Sequence, residues 1–561
     1  MKATLHGIPP RLPHLLLVLA CFGCADRGAD AGADAEPVRG GTVVIAGPND
    51  LDVANSLVST ERYTQELLRY VLALPLLYHG PDLELQPALA DSWELLADTG
   101  VVFHLRPDVR WHDGVPTRAA DVAFTYARAM DPATGYPSVD YLARWSEPQV
   151  VDSLTVRFTW EPHAEPLAGV PFLPVMPAHL LDSIPADRMR QAAFNRAPVG
   201  NGPFRFVEYR GGDRWVFEAN DDFPEALGGR PWIDRLVWRV IPEAAAQEVE
   251  LRTGNAHMIL SPRAPELAEL DALPGIRAIV RPGRQYGFVA WNAQRPPLGD
   301  PAVRRALTMA LDRDRMIEGL RSGYGEPAVG PIGPFHWSVD EGLEPVPQDP
   351  AGARALLEEA GIRDRDGDGY REDASGAALS IELMMPASNA MNRDLAELIR
   401  ADLDSVGVRL VPRQVESSTL IGTVTAPTRD FDAFLLGWEA DYRVNLRDLF
   451  HSAGAEGPYG FASYANPEVD SLIDAVAEAR TREEATPLYR RLQEVLRDEQ
   501  PWSFLYYYPD LVAARDELRG VEMDIRGIFI SVGDWWLGSG GASDAVPGAS
   551  EAAPPPADSA R

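Results

Sequence analysis

The chain has 561 residues, of which 45% are hydrophobic and 9% aromatic, enough for a folded protein of three domains. Its 83 acidic residues outnumber 52 basic ones, a formal charge of −31 with no Lys/Arg block, which argues against nucleic acid as a partner. Lys2 is the only lysine, which removes Schiff-base and Walker-type lysine chemistry.

A basic start at Lys2 and Arg11 precedes the short apolar run Leu15–Ala20, too short to span a membrane and suited to a signal-peptide core. Val18-Leu19-Ala20-Cys21 resembles a bacterial lipobox, although Leu19 is bulky for its position, and Cys24 is the alternative lipidation site. No cysteine follows Cys24, so no disulfide can form in the folded body. Residues 1–24 therefore read as a lipoprotein signal peptide, 25–38 as a disordered acidic tether, and 538–561 as a flexible tail rich in Gly, Ser, Ala and Pro.

Between the tails, Gly41–Gly47 reads as the first strand, and Glu61–Leu74 as a helix apolar around much of its girth, hence buried. Val101, Phe103 and Leu105 alternate with Val102, His104 and Arg106, the period of a half-buried strand. His112-Asp113-Gly114 supplies a turn, and Thr117 is placed to cap a helix with Val122, Tyr126 and Met130 on one face. In Pro198–Phe206, Gly200 and Gly202 permit positive φ. Leu236–Val240 follows as a strand and Gln247–Gly254 as a helix. Around Tyr286–Asn292 the chain is expected to enter a second lobe. There Asp300-Pro301, Asp349-Pro350 and Asn466-Pro467 announce helix starts, and Thr481 with Glu484 a capping box. Strand candidates Ala378–Met384, Val408–Val411 and Phe431–Leu436 lie between these helices, an alternation that predicts a largely parallel sheet. Pro501–Tyr508 is a further strand.

Leu105, Arg106, Trp111, Asp113, Gly114, Asp121 and Val122 resemble the signature of the family 5 extracytoplasmic solute-binding proteins, the peptide- and nickel-binding receptors of ABC importers. The run Leu83–Trp93, the turn Pro198–Phe206 and the stretches Asn220–Phe223 and Gly229–Asp234 continue the resemblance, which covers residues from about 40 to 537. It implies an α/β, two-lobed periplasmic-binding-protein fold, type II-like, with an extra domain in the first lobe and a hinged ligand cleft. Residues 39–284, completed by 501–537, would form the first lobe and 285–500 the second. The implied function is capture of peptides or a similar small solute and delivery to permease subunits, by a monomer held at the membrane through lipid on Cys21. A nickel chelate, an oligosaccharide or an opine-like compound is the alternative solute. A surface binding protein or chaperone not coupled to transport is the other alternative.

No Ser, His or Cys constellation of an enzyme is present, so no catalytic residue and no cofactor is expected. Asp364, Asp366 and Asp368 look like the front of a calcium loop, but Ser375 stands where the bidentate Glu belongs, so the reading is a solvated acidic turn and no metal. The best ligand candidates follow the strand Phe431–Leu436, because ligands of open α/β lobes bind beyond the carboxyl ends of strands. Gly437 and Trp438 would offer backbone to an extended peptide. By the family resemblance Asp441 would pair with the peptide's α-ammonium, with Tyr442 beside it and Tyr508 as a neighbouring aromatic. The departure from the peptide-binding pattern begins at Arg443, which could instead meet a ligand carboxylate or lie on the surface.

Overall fold

The computed structural model describes residues 36–538 except 374, 389 and 441. Cys21, Cys24, the signal segment and nearly all of the tether and tail lie outside the described residues, as does Asp441. None of the described helices is long and apolar enough to cross a membrane.

One sheet of 11 strands runs through the described chain beyond Val38. Its linear order is Arg409–Val415, Ser380–Pro386, Ala433–Glu439, Ile276–Trp291, Trp502–Arg515, Met258–Leu260, Thr42–Gly47, Arg235–Val240, Arg214–Ala219 and Phe204–Arg210. Glu326–Pro327 pairs with Trp502–Arg515 off this path. Three strands at one end are parallel, and the next joins them antiparallel. The largely parallel sheet expected there is therefore mixed. The two long central strands are the cause: Ile276–Trp291 pairs antiparallel both with Ala433–Glu439 and with Trp502–Arg515.

Those two strands, 16 and 14 residues long, join two disjoint sets of hydrophobic cores. One set uses buried residues from Val43 to Ile276 and again from Leu511 to Trp535. The other uses only residues from Tyr286 to Tyr507. Where the strands pass between the sets, their pairing breaks between Arg281 and Gln285. Pro282 and Pro509 withhold ladder donors there. A Cβ on Gly283 would stand 2.3 Å from the Tyr508 carbonyl oxygen, so only glycine allows the strands to approach. The fold is thus mixed α/β and two-lobed, with a sheet interrupted at the crossing.

Within the first set, a four-stranded sheet of Ala90–Leu95, Gly100–Leu105, Thr155–Thr159 and Gln149–Val150 builds its own core around Phe103, Tyr126 and Phe158. Val101, Phe103 and Leu105 are buried and Val102 and His104 are not, as the alternation requires. The helix behind it, Ala119–Met130, is capped at Arg118, not Thr117. Asp121 reaches back to accept the Arg118 N–H at 2.8 Å, whereas Thr117 is buried and accepts from Asn201. Gly200 and Gly202 are also needed for a different reason than expected. Neither has positive φ. A Cβ on Gly200 would sit 1.8 Å from the Leu72 carbonyl oxygen, and one on Gly202 2.7 Å from the Leu72 carbonyl carbon.

The Asp-Pro and Asn-Pro starts form as the sequence dictates: Asp300, Asp349 and Asn466 each accept a backbone N–H of the first turn. Thr481 accepts from Glu484 N–H at 3.2 Å, but the Glu484 carboxylate turns to Arg480 N–H, so the capping box is only half closed.

Candidate ligand-binding site

A helix that is buried yet carries charges begins the site. Arg62–Leu67 runs on into the π-helical turn Leu68–Leu72, and Glu61 caps it by accepting from Tyr63 and Thr64 N–H. Arg62, Glu66 and Arg69 are spaced to share one face, and all three line a cavity of about 220 Å³. Tyr136, Tyr141 and Phe172 give it aromatic walls. Arg284, Glu439 and Tyr442 enter from the strand crossing and the end of Ala433–Glu439, and Arg526 from the segment after the last long strand. Both sets of cores thus contribute.

The charges form one network at the crossing. Arg62 Nη1 donates to Asp510 Oδ1 at 2.9 Å and its Nε to Glu66 Oε1 at 3.1 Å. Arg281 Nη2 stands 2.7 Å from Asp510 Oδ2. Arg284 pairs with Glu439 and donates to the Ala440 carbonyl at 3.0 Å. Burial lowers the affinity of Arg62 for its proton, but Glu66, Asp510 and Glu439 outweigh it and hold the guanidinium charged. Burial likewise pushes the Asp510 carboxyl up, and Arg62 and Arg281 outweigh it and hold the group below its ordinary range. Arg526 is held by Asp524, with Nε at 2.9 Å from Oδ1.

Of the residues expected at the site, Tyr442 is in the cavity wall. Its ring stacks on Phe172 at 4.7 Å and on His79 at 5.7 Å, Arg284 lies 4.5 Å from its centroid, and its hydroxyl donates to the Ile525 carbonyl at 2.5 Å. Burial pushes that hydroxyl up to about 12. Asp441, one residue before it, lies outside the described residues. Gly437 stands opposite Gly287 in the antiparallel ladder, away from the cavity lining. Trp438 packs against Tyr459, Phe461 and Trp502, with centroids 6.0–6.2 Å apart. Tyr508 lies under the Arg321 guanidinium, 3.9 Å away, and beside Tyr506. Arg443 is neither free nor merely superficial: its N–H donates to the Tyr141 hydroxyl at 3.1 Å and its Nη1 to the Asp140 carbonyl at 2.9 Å. Glu165 adds a further contact between the two sets, accepting from Trp337 Nε1 at 2.7 Å and Arg482 Nη2 at 3.1 Å.

The residues not anticipated are Arg62, Glu66, Arg69, Arg284, Glu439 and Arg526. A signal was available for the first three: charges at positions i, i+4 and i+7 of a helix otherwise apolar enough to be buried. Elsewhere, the carboxylates of Asp364, Asp366, Asp368 and Glu372 come within 4.8 Å of one another. Buried Glu372, three positions before Ser375, takes the fourth place and accepts the Arg365 N–H at 2.7 Å.

Two sets of cores, joined by crossing strands and closing on a cavity that both wall, define a two-lobed solute receptor. Residues 84–455 match the model of the bacterial extracellular solute-binding proteins, family 5 Middle, and the chain belongs to that family. It is 27% identical over 538 residues to the oligopeptide-binding protein AppA of Bacillus subtilis, covering 93% of this chain and 96% of that one. It is 30% identical over 443 residues to heme-binding protein A of Haemophilus influenzae, covering 75% and 78%. The solved structure of B. subtilis AppA in complex with a nonapeptide superposes with a TM-score of 0.76 at 26% identity, over 90% of this chain and 100% of that one. NikZ of Campylobacter jejuni in complex with Ni(L-His) shares the fold, with a TM-score of 0.76 at 23% identity, over 88% and 99%.

Proposed function

We propose that this protein is the receptor of an ABC import system, taking up a peptide or a similar small solute in the cavity between its lobes and presenting it to a membrane permease. The observation that carries this reading is the cavity itself. Its walls come from both lobes, its aromatic clamp is Tyr442, and Asp441 immediately precedes that clamp. The match to B. subtilis AppA over nearly the whole of both chains supports a peptide as the solute. The division into 39–284 with 501–537 and 285–500 is supported by the disjoint cores and by the pairing break between Arg281 and Gln285. Closure by bending at that break follows the hinge mode of such receptors. Lipid on Cys21 would hold the monomer at the outer face of a membrane. Fatty-acid labelling lost in a Cys21→Ser, Cys24→Ser double variant tests that anchor, and an unlabelled wild type would remove it.

The test of the peptide reading is Asp441. Removing the counter-charge of a buried ammonium costs ~3–5 kcal/mol. Asp441→Ala is therefore expected to weaken binding of free-amine peptides by about two orders of magnitude or more. N-acetylated peptides should bind wild type weakly and the variant no worse. Calorimetry on the four combinations decides it, and a variant that binds free-amine peptides as tightly as wild type refutes it. The relationship to heme-binding protein A keeps a non-peptide solute as the second reading. Mass spectrometry of the solute that co-purifies with the folded protein separates the two.

A further inference from the structure

Arg69 is the cavity's odd charge. Four guanidiniums and two carboxylates line the cavity among the described residues. Arg62 and Arg284 have Glu66, Asp510 and Glu439, and Arg526 has Asp524. Arg69 has no carboxylate within ion-pair distance among the described residues, and its buried Nε has no hydrogen-bond acceptor. Yet it is only 7% exposed. Its guanidinium carbon stands over the Phe172 ring, 4.4 Å from the centroid, and 5.8 Å from the centroid of Tyr70. Burial and the charges of Arg69 and Arg526 together hold nearby His79 unprotonated, so its ring adds no further positive charge at this corner.

Buried charges in folded proteins are paired, and this one has the neighbouring Tyr70 hydroxyl but no carboxylate among the described residues. A guanidinium held against aromatic faces keeps its forked donors for a planar, bidentate anion. We propose that Arg69 receives a carboxylate of the bound solute, and that the protein therefore selects solutes bearing one. This rests on the peptide reading above, in which the carboxylate is the C-terminus or an acidic side chain. Loss of the Arg69 contact exposes an unpaired ligand charge inside a closed cavity, so the effect falls on the acid and spares its neutral analogue.

The experiment uses the mature protein and two mixtures of tripeptides with neutral side chains, one as free acids and one as C-terminal amides, with binding read by calorimetry. A third mixture, amides with one Asp or Glu, identifies a side-chain carboxylate as the source. Wild type is expected to prefer carboxylate-bearing peptides by about a hundredfold, the scale of truncating one partner of a buried charge pair. Arg69→Gln should weaken the acids about a hundredfold more than the neutral amides and so abolish that preference, and Arg69→Lys should restore part of it. Thermal melts of each variant verify the fold. Equal binding of acids and neutral amides by wild type overturns this inference alone, leaving the peptide reading intact. A merely structural Arg69 would weaken acids and amides alike in Arg69→Gln, which also overturns it. Absence of binding by every tripeptide mixture removes the peptide reading and this inference with it.

Discussion

Tyr442 joins the two lobes through a contact whose worth can be worked from its neighbours. Phe172, His79 and the Ile525 carbonyl belong to the first set of cores and its flanks, while Tyr442 itself follows the strand Ala433–Glu439 of the second. Two ring contacts at ~0.5–1.5 kcal/mol each and a hydrogen bond of ~1 kcal/mol give roughly 2–4 kcal/mol across the cleft. Truncation to alanine removes all of it, a loss that overlaps the lower part of the ~3–5 kcal/mol typical for losing a buried aromatic. Because these contacts span the two sets of cores, their loss is expected to fall on closure. Taking ~3 kcal/mol, Tyr442→Ala should weaken solute binding by roughly 150-fold. Tyr442→Phe, which loses only the hydrogen bond, should weaken it by about fivefold. Calorimetry with the co-purified solute gives the affinities, and small-angle scattering gives the compaction at saturating solute. An alanine variant with wild-type affinity and wild-type compaction would show that Tyr442 is not the clamp.

Acidification should destabilise the protein through histidines buried in the neutral form. Burial, with Arg69 and Arg526, lowers His79 to about 3, and burial lowers His112 to about 4 and His336 to about 3. Below the ordinary value of 6.5 the unfolded chain binds protons that the folded one refuses. Stability is therefore full above that pH and declines toward pH 4, by up to ~1.4 kcal/mol per pH unit for each group. Urea titrations of His79→Gln should show a shallower decline than wild type, and an identical slope would count against the assignment. Gly200→Ala should cost ~3 kcal/mol or more, the upper end of overpacking, because the atom it meets is backbone and cannot swing aside. A loss under ~1 kcal/mol in the same titration would mean that the turn yields.

How much of this was legible in the sequence depended on whether its cause was local. The strand at Val101–Leu105, the capped starts at Asp300, Asp349 and Asn466, and the burial of the helix after Glu61 each follow from residues within a few positions of one another. So they appear where the sequence places them. Distant causes were misread. Thr117 has the chemistry of a cap, but Asn201 and Asp121 compete for the local groups and the cap moves to Arg118. Gly200 has the look of a positive-φ turn, but the carbonyl that demands glycine belongs to Leu72. The three strands at the sheet's end are parallel as read, and the antiparallel join comes from strands drawn from the chain's middle and end. The site repeats the lesson with charges. Arg62, Glu66 and Arg69 announce themselves by spacing on a buried helix, yet the residue that neutralises Arg62 is Asp510, 448 positions along the chain. No window of sequence contains both, so which arginine is satisfied and which is left for the solute becomes visible only once the sheet has brought the two long strands together.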